Sequence, residues 1–112
     1  MDTIDNMVAR HFGGKAPDLL KIDTQGYELE VLRGGERTLP QIRAIIAEIN
    51  LLDLHVNVPL LHNVVQWLAN RGWVAYDICG LTRRPLDNAL WQADFIFVPS
   101  ISELRVDKRW IS

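Results

Sequence analysis

Three stretches of this 112-residue chain place carboxylates and amides where a strand stops. Asp23, Thr24, Gln25 and Gly26 follow the apolar run Leu19-Leu20-Lys21-Ile22. Glu48 and Asn50 end a second apolar run, with Asp53 and His55 just beyond. Asp77, Cys79 and Gly80 end a third. In open α/β sheets, ligands bind outside the carboxyl ends of the strands. Two carboxylates there, Asp23 and Glu48, could orient a hydroxyl, take its proton or bind a cation. Each also has a structural reading: Asp23 as a helix cap, Glu48 as a satisfied carboxylate at a strand end.

The other candidates are weaker. His55 and His62 match no short metal-ligand spacing, and paired cysteines are absent, so no metal is expected. Cys79 has no base beside it and reads as a small buried side chain. Trp67, Trp73, Trp91 and Trp110 read as core or edge cover. Stacking of nucleic acid on them would need a basic groove, and 12 basic against 14 acidic side chains do not suggest one.

The elements that must position these residues follow from periodicity and punctuation. A helix is predicted over residues 4–12, capped by Asp2 or Thr3 and stopped by Gly13-Gly14. Strands are predicted over residues 18–22, 43–49, 73–78 and 92–98. A helix over residues 26–33 has acidic residues in its first turn, and Gly34-Gly35 supply a left-handed end. The most regular helix holds Leu60, Leu61, Val64, Val65 and Leu68, with Asn57 as cap, Pro59 in the first turn and Gly72 as stop. The near-continuous apolar run Arg43-Ala44-Ile45-Ile46-Ala47 predicts a strand covered on both faces. CGLTRRPLDNAL reads as a turn region, and the last dozen residues as a helical turn or a loose tail.

Strands alternating with helices imply parallel pairing, and the last two strands, with no helix between them, imply one antiparallel strand. The expected fold is a three-layer α/β sheet, mostly parallel, in a single domain over residues 1–112. If neighbours pair in sequence, the first strand is a bare apolar edge, which calls for a second copy, an added segment or another polypeptide.

The composition is that of a globular chain, with 48% hydrophobic residues and a net charge of -2. No block of like charge points to nucleic acid or an anionic membrane. No apolar stretch approaches the roughly 20 residues of a membrane helix, and the first residues lack the pattern of a signal peptide. With a single cysteine, the expected location is cytoplasmic.

The segment Leu20-Lys21-Ile22-Asp23, Gly26, Glu28, Val31-Leu32 and Gly34 resembles the signature of the FkbM family of S-adenosylmethionine-dependent methyltransferases. Thr3-Ile4-Asp5 resembles that family's upstream "T-L-D". Ile45 to Glu48 resembles its apolar strand ending in Glu, and Gln92, Asp94, Phe95 and Phe97 resemble its closing "Q-x-D-x-x-F". The resemblance spans about residues 3–98, leaving 99–112 as a tail.

It implies a partial class I methyltransferase (Rossmann-like) fold. This chain would supply the last four of seven strands, as a truncated, split or cut product. No G-x-G-x-x-G-like loop follows a strand here, so the main cofactor-binding loop is not in this chain. Asp23 would lie near the transferred methyl group, with Thr24 beside it as a possible cofactor contact. Gln25, Tyr27, Glu28 and Asn50 would line the acceptor site, with Glu48 joining Asp23 in catalysis. O-methylation of a sugar or secondary-metabolite hydroxyl is the implied reaction, once a cofactor-binding half is present. The competing expectation is a non-catalytic remnant that pairs through its sheet edge. A metal or hydrolase module on Asp23, Glu48 and His55 has no nucleophile elbow to support it.

Overall fold

The computed structural model describes residues 2–23 and 26–111. The elements run α1 (Ile4–His11), β1 (Leu19–Ile22), α2 (Glu28–Arg33), β2 (Ala44–Asn50), α3 (Leu61–Ala69), β3 (Trp73–Arg83) and β4 (Leu90–Pro99). Short 3-10 turns sit at Leu39–Gln41 and Glu103–Arg105, the second within the expected tail.

The sheet is mixed, in the order β1-β2-β4-β3. β1 pairs parallel to β2, while β4 runs antiparallel to both β2 and β3. Three strands therefore share one direction and β4 opposes them, as the missing helix between β3 and β4 implies. β4 inserts between β2 and β3, so pairing does not follow sequence order, and one of the three ladders is parallel.

Register sorts the side chains onto two faces, because successive residues of a strand point to opposite sides. Ile45, Ala47 and Ile49 lie across from Phe97, Phe95 and Ala93. Together with Ile22, Leu32, Leu39, Ile42, Val64, Leu68 and Trp73 they form the buried core. α3 packs over this face against β2 and β3, and α2 packs against α3. The other face carries Ile46, Glu48 and Asn50 across from Ile96, Asp94 and Gln92. There Ile46, Glu48, Asp94 and Ile96 are only half-buried. The expectation that β2 is covered on both faces is thus corrected: its burial alternates, and one face is open.

Helix ends follow local chemistry with two departures. Thr3 Oγ1 accepts the Asn6 N–H at 3.1 Å and caps α1. Asn57 does not cap α3; it takes a left-handed turn conformation, and Asn63 Oδ1 instead accepts the Leu60 N–H at 2.9 Å. Gly34 does not supply a left-handed end either, since its φ is -71°. Its small size is what matters. A Cβ on Gly34 would lie 3.1 Å from the Thr3 side chain, and one on Gly35 3.1 Å from Ile4. The glycines let α1 lie against the turn after α2.

Asp5 fastens that contact. Its carboxylate accepts the Thr38 hydroxyl at 2.7 Å and the Thr38 and Arg37 N–H groups at 2.9 and 3.2 Å. Burial pushes the Asp5 carboxyl up, but these hydrogen bonds and the Arg37 charge together hold it below its ordinary value. Arg71 pins the far end of α3, stacked on Trp67 at 3.7 Å and paired with Glu36 at 2.9 Å.

β3 runs five residues past its expected end, through Cys79-Gly80-Leu81-Thr82-Arg83. The turn is confined to the segment between Arg84 and Ala89, closed by the Arg84 N–H to Ala89 carbonyl bond at 2.7 Å. Register shifts interrupt the β3–β4 ladder. Such bulges twist an edge strand and disfavour pairing with another chain. Cys79 is exposed rather than buried, and Trp110 is 98% exposed rather than packed.

Candidate functional site

The register Ile22↔Ala47 sets Asp23, one step past β1, level with Glu48. Glu48 in turn faces Asp94 across the β2–β4 ladder. Three carboxylates thus stand in a row over three neighbouring strands, on the open face, at the carboxyl ends of β1 and β2. Neighbouring strands lie about 4.8 Å apart, so adjacent members of such a row can share one small ligand. Asp23 is exposed and Glu48 half-buried, and Glu48 has a polar or electrostatic interaction of its own. Next along the strands, Asn50 faces Gln92.

The N-cap of α2 is Tyr27, and among the described residues no side chain caps the helix, so the structure does not support Asp23 as the cap. The corner between β1 and α2 turns on Gly26, whose φ of +107° suits glycine. Its missing Cβ also makes room for Val58, whose side chain would lie 3.3 Å away. Thr24 and Gln25 fall outside the described residues. Tyr27 is exposed at the start of α2.

Glu28 is different. One turn before the core residue Leu32, it is 3% exposed. Its Oε1 accepts the Gly26 N–H at 3.3 Å, and its Oε2 is buried with no hydrogen-bond partner among the described residues. A buried oxygen without a partner costs about 1–3 kcal/mol, more if charged.

Sequence-named residues are thus partly gathered. Asp23, Glu48 and Asn50 share the open face. Glu28 lies behind the corner on the core side, in line with Leu32. The His55 ring lies 6.5 Å from that of Trp91, whose indole N–H is buried with no partner among the described residues. Among the described residues no group of three or more His, Cys, Asp or Glu side chains could hold a metal ion, and no helix is long and apolar enough to cross a membrane. Sequence reasoning missed Asp94 and Gln92 as site candidates. The signal was present in Gln92-Ala93-Asp94-Phe95-Ile96-Phe97, where polar residues alternate with core residues before the strand turns apolar.

The geometry defines an α/β protein with an acidic row at the carboxyl end of a sheet. A family model, the methyltransferase FkbM domain, matches residues 1–74. The chain belongs to that family, and the membership supports a methyltransferase-type function. The match covers α1, β1, α2, β2 and α3 and ends as β3 begins. No curated protein and no solved structure matches the chain.

Proposed function

We propose that this chain is the acceptor-binding portion of an S-adenosylmethionine-dependent methyltransferase, and that it methylates a hydroxyl oxygen of a sugar or secondary metabolite when completed by a cofactor-binding half. The observation that carries the reading is the level placement of Asp23 and Glu48 on the open face, in a member of a methyltransferase family.

The residues present fit only part of the cofactor. Gly13 and Gly14 follow a helix rather than a strand, so they do not form a phosphate- or ribose-cradling turn. Asp23 is the described residue that would face the cofactor. S-adenosylmethionine, when bound, supplies a methyl group on a sulfonium. This chain's part is to hold the acceptor. Asp23 orients the hydroxyl and accepts its proton, Glu48 fixes the same group from the next strand, and Asn50 and Tyr27 shape the surroundings. Such transfer depends on alignment more than on strong acid.

β1 is the edge strand of the sheet, and its Leu19 is 51% exposed. A completing half, or a second copy of the chain, would pair there and cover the apolar part of the open face, giving the three-layer class I arrangement. A reducing cytoplasm suits the exposed Cys79.

The test is methyl transfer by the completed enzyme. Asp23→Asn should lower the rate by about a hundredfold or more, the usual range for a positioned acid or base. An unchanged rate would remove Asp23 from the chemistry.

A further inference from the structure

The segment between β2 and α3 is closed at its base and loose above it. Asn50 and Leu60 pair as an isolated parallel bridge, so the two ends of residues 51–59 lie side by side. At the base, the Leu51 N–H donates to the Trp91 carbonyl at 2.7 Å. Beyond it, no hydrogen bond or ion pair ties residues 52–58 to the rest of the described protein. Compact surface loops with adjacent ends are held by their own side chains and are frequently functional. Segments with few fastenings belong to the low-stability end of a fold.

Two contacts hold this loop. Val58 rests on Gly26, where an added Cβ would meet it at 3.3 Å. His55 sets its ring 6.5 Å from that of Trp91, tilted by 59°. Each contact lies beside a buried polar group whose hydrogen bonding is incomplete. Glu28, whose Oε1 accepts the Gly26 N–H, is 3% exposed, and its Oε2 has no partner among the described residues. The Trp91 indole N–H is likewise buried and unpartnered among them. Leaving either group unmet costs stability. A loop with no hydrogen bonds to the rest of the described protein gives up little by moving to a position that meets them.

The loop carries the matching chemistry. A neutral imidazole has one acceptor nitrogen, which suits an indole N–H. Backbone N–H groups beside Val58 suit a carboxylate oxygen. Leu54 is 46% and Val56 87% exposed, so two apolar side chains on the crown of the loop also gain from a more covered position.

We propose that residues 51–59 form a two-state lid at the carboxyl ends of β1 and β2. In its second position His55 accepts the Trp91 indole N–H, and the loop backbone donates to Glu28 Oε2. The lid follows β2 and touches the corner that carries Asp23, so it stands beside the acceptor site. Its motion does not depend on the function proposed above; its task of covering the acceptor does.

The experiment is nitrogen-15 relaxation dispersion on the chain, reading the Trp91 indole N–H and the backbone amides of residues 52–58. Both should exchange on the microsecond-to-millisecond scale at one shared rate, while the amides of Ile45, Ala47 and Ile49 stay flat. Trp91→Phe keeps an aromatic ring and removes the donor; His55→Ala removes the acceptor. Each should lower the population of the second position about tenfold, the effect of one hydrogen bond to a buried donor. The wild-type measurement stands even if a variant folds poorly. Flat profiles, loop exchange that leaves the Trp91 indole still, or exchange that survives both variants would overturn the proposal. Shared exchange in a completed enzyme that transfers no methyl group would refute the proposed function alone. Methyl transfer with flat profiles would refute the lid alone.

Discussion

The two faces of this sheet are built from the same strands, one residue apart, and differ in nearly every property. On one, Ile45, Ala47 and Ile49 meet Phe97, Phe95 and Ala93, all buried. On the other, Ile46, Glu48 and Asn50 meet Ile96, Asp94 and Gln92, where a carboxylate opposes a carboxylate and an amide an amide. The first face holds the fold together. The second gives up stability and presents hydrogen-bonding groups. The period of two in a β-strand allows both within one ladder.

The comparison is most exposed to a pair of adjacent truncations. Ile45→Ala should cost about 2–5 kcal/mol, because a fully buried side chain leaves a cavity. Ile46→Ala, half-buried on the open face, should cost about 1 kcal/mol, near the typical value for a point mutant. Urea unfolding midpoints measure both, and equal losses would mean that the faces are not distinct. Gly35→Ala comes next, at about 1–3 kcal/mol, since its Cβ would press into Ile4 and push α1 outward. Hydrogen exchange should then quicken in α1 first; uniform quickening would point to a global effect instead.

Asp94→Asn should do the reverse of a core truncation. Removing one of two facing carboxylates should raise stability by a few tenths of a kcal/mol, up to about 1. A loss of stability would show that Asp94 serves the fold.

The smallest effect concerns pH at the hairpin tip. The hydrogen bonds from Arg84 hold the Asp87 carboxyl down at about 2. Since that is below its ordinary value, the tip's contribution is full above about pH 4 and is lost as pH falls toward 2. An NMR titration should find Asp87 ionised at pH 3, and Arg84→Gln should move its midpoint up; an unmoved midpoint would show that the Arg84 pair is not the cause.

Much of the fold was legible because it is written locally. Thr3 as a cap and the i, i+4 spacing of Val64 and Leu68 each specify their element without distant help. Non-local features were not legible. The insertion of β4 between β2 and β3 depends on pairing partners far apart in sequence. The extension of β3 was hidden because Gly80 and the Pro85–Asn88 segment carry turn signals, and cross-strand pairing with β4 overrode the first of them. The open face was masked by Ile46, which makes the run in β2 look buried on both sides.

The site divides in the same way. Asp23 and Glu48 were visible as strand-end carboxylates, and the register brings them level. Asp94 and Gln92 required the antiparallel ladder, and the burial of Glu28 required the packing of α2.

The central claim is that this chain offers the acceptor side of a methyltransferase and not the cofactor cradle. Calorimetry with S-adenosylmethionine and the 112-residue chain tests it most directly. The account predicts no binding at micromolar concentrations, a threshold corresponding to about -8 kcal/mol. A clear one-to-one isotherm in that range would contradict it.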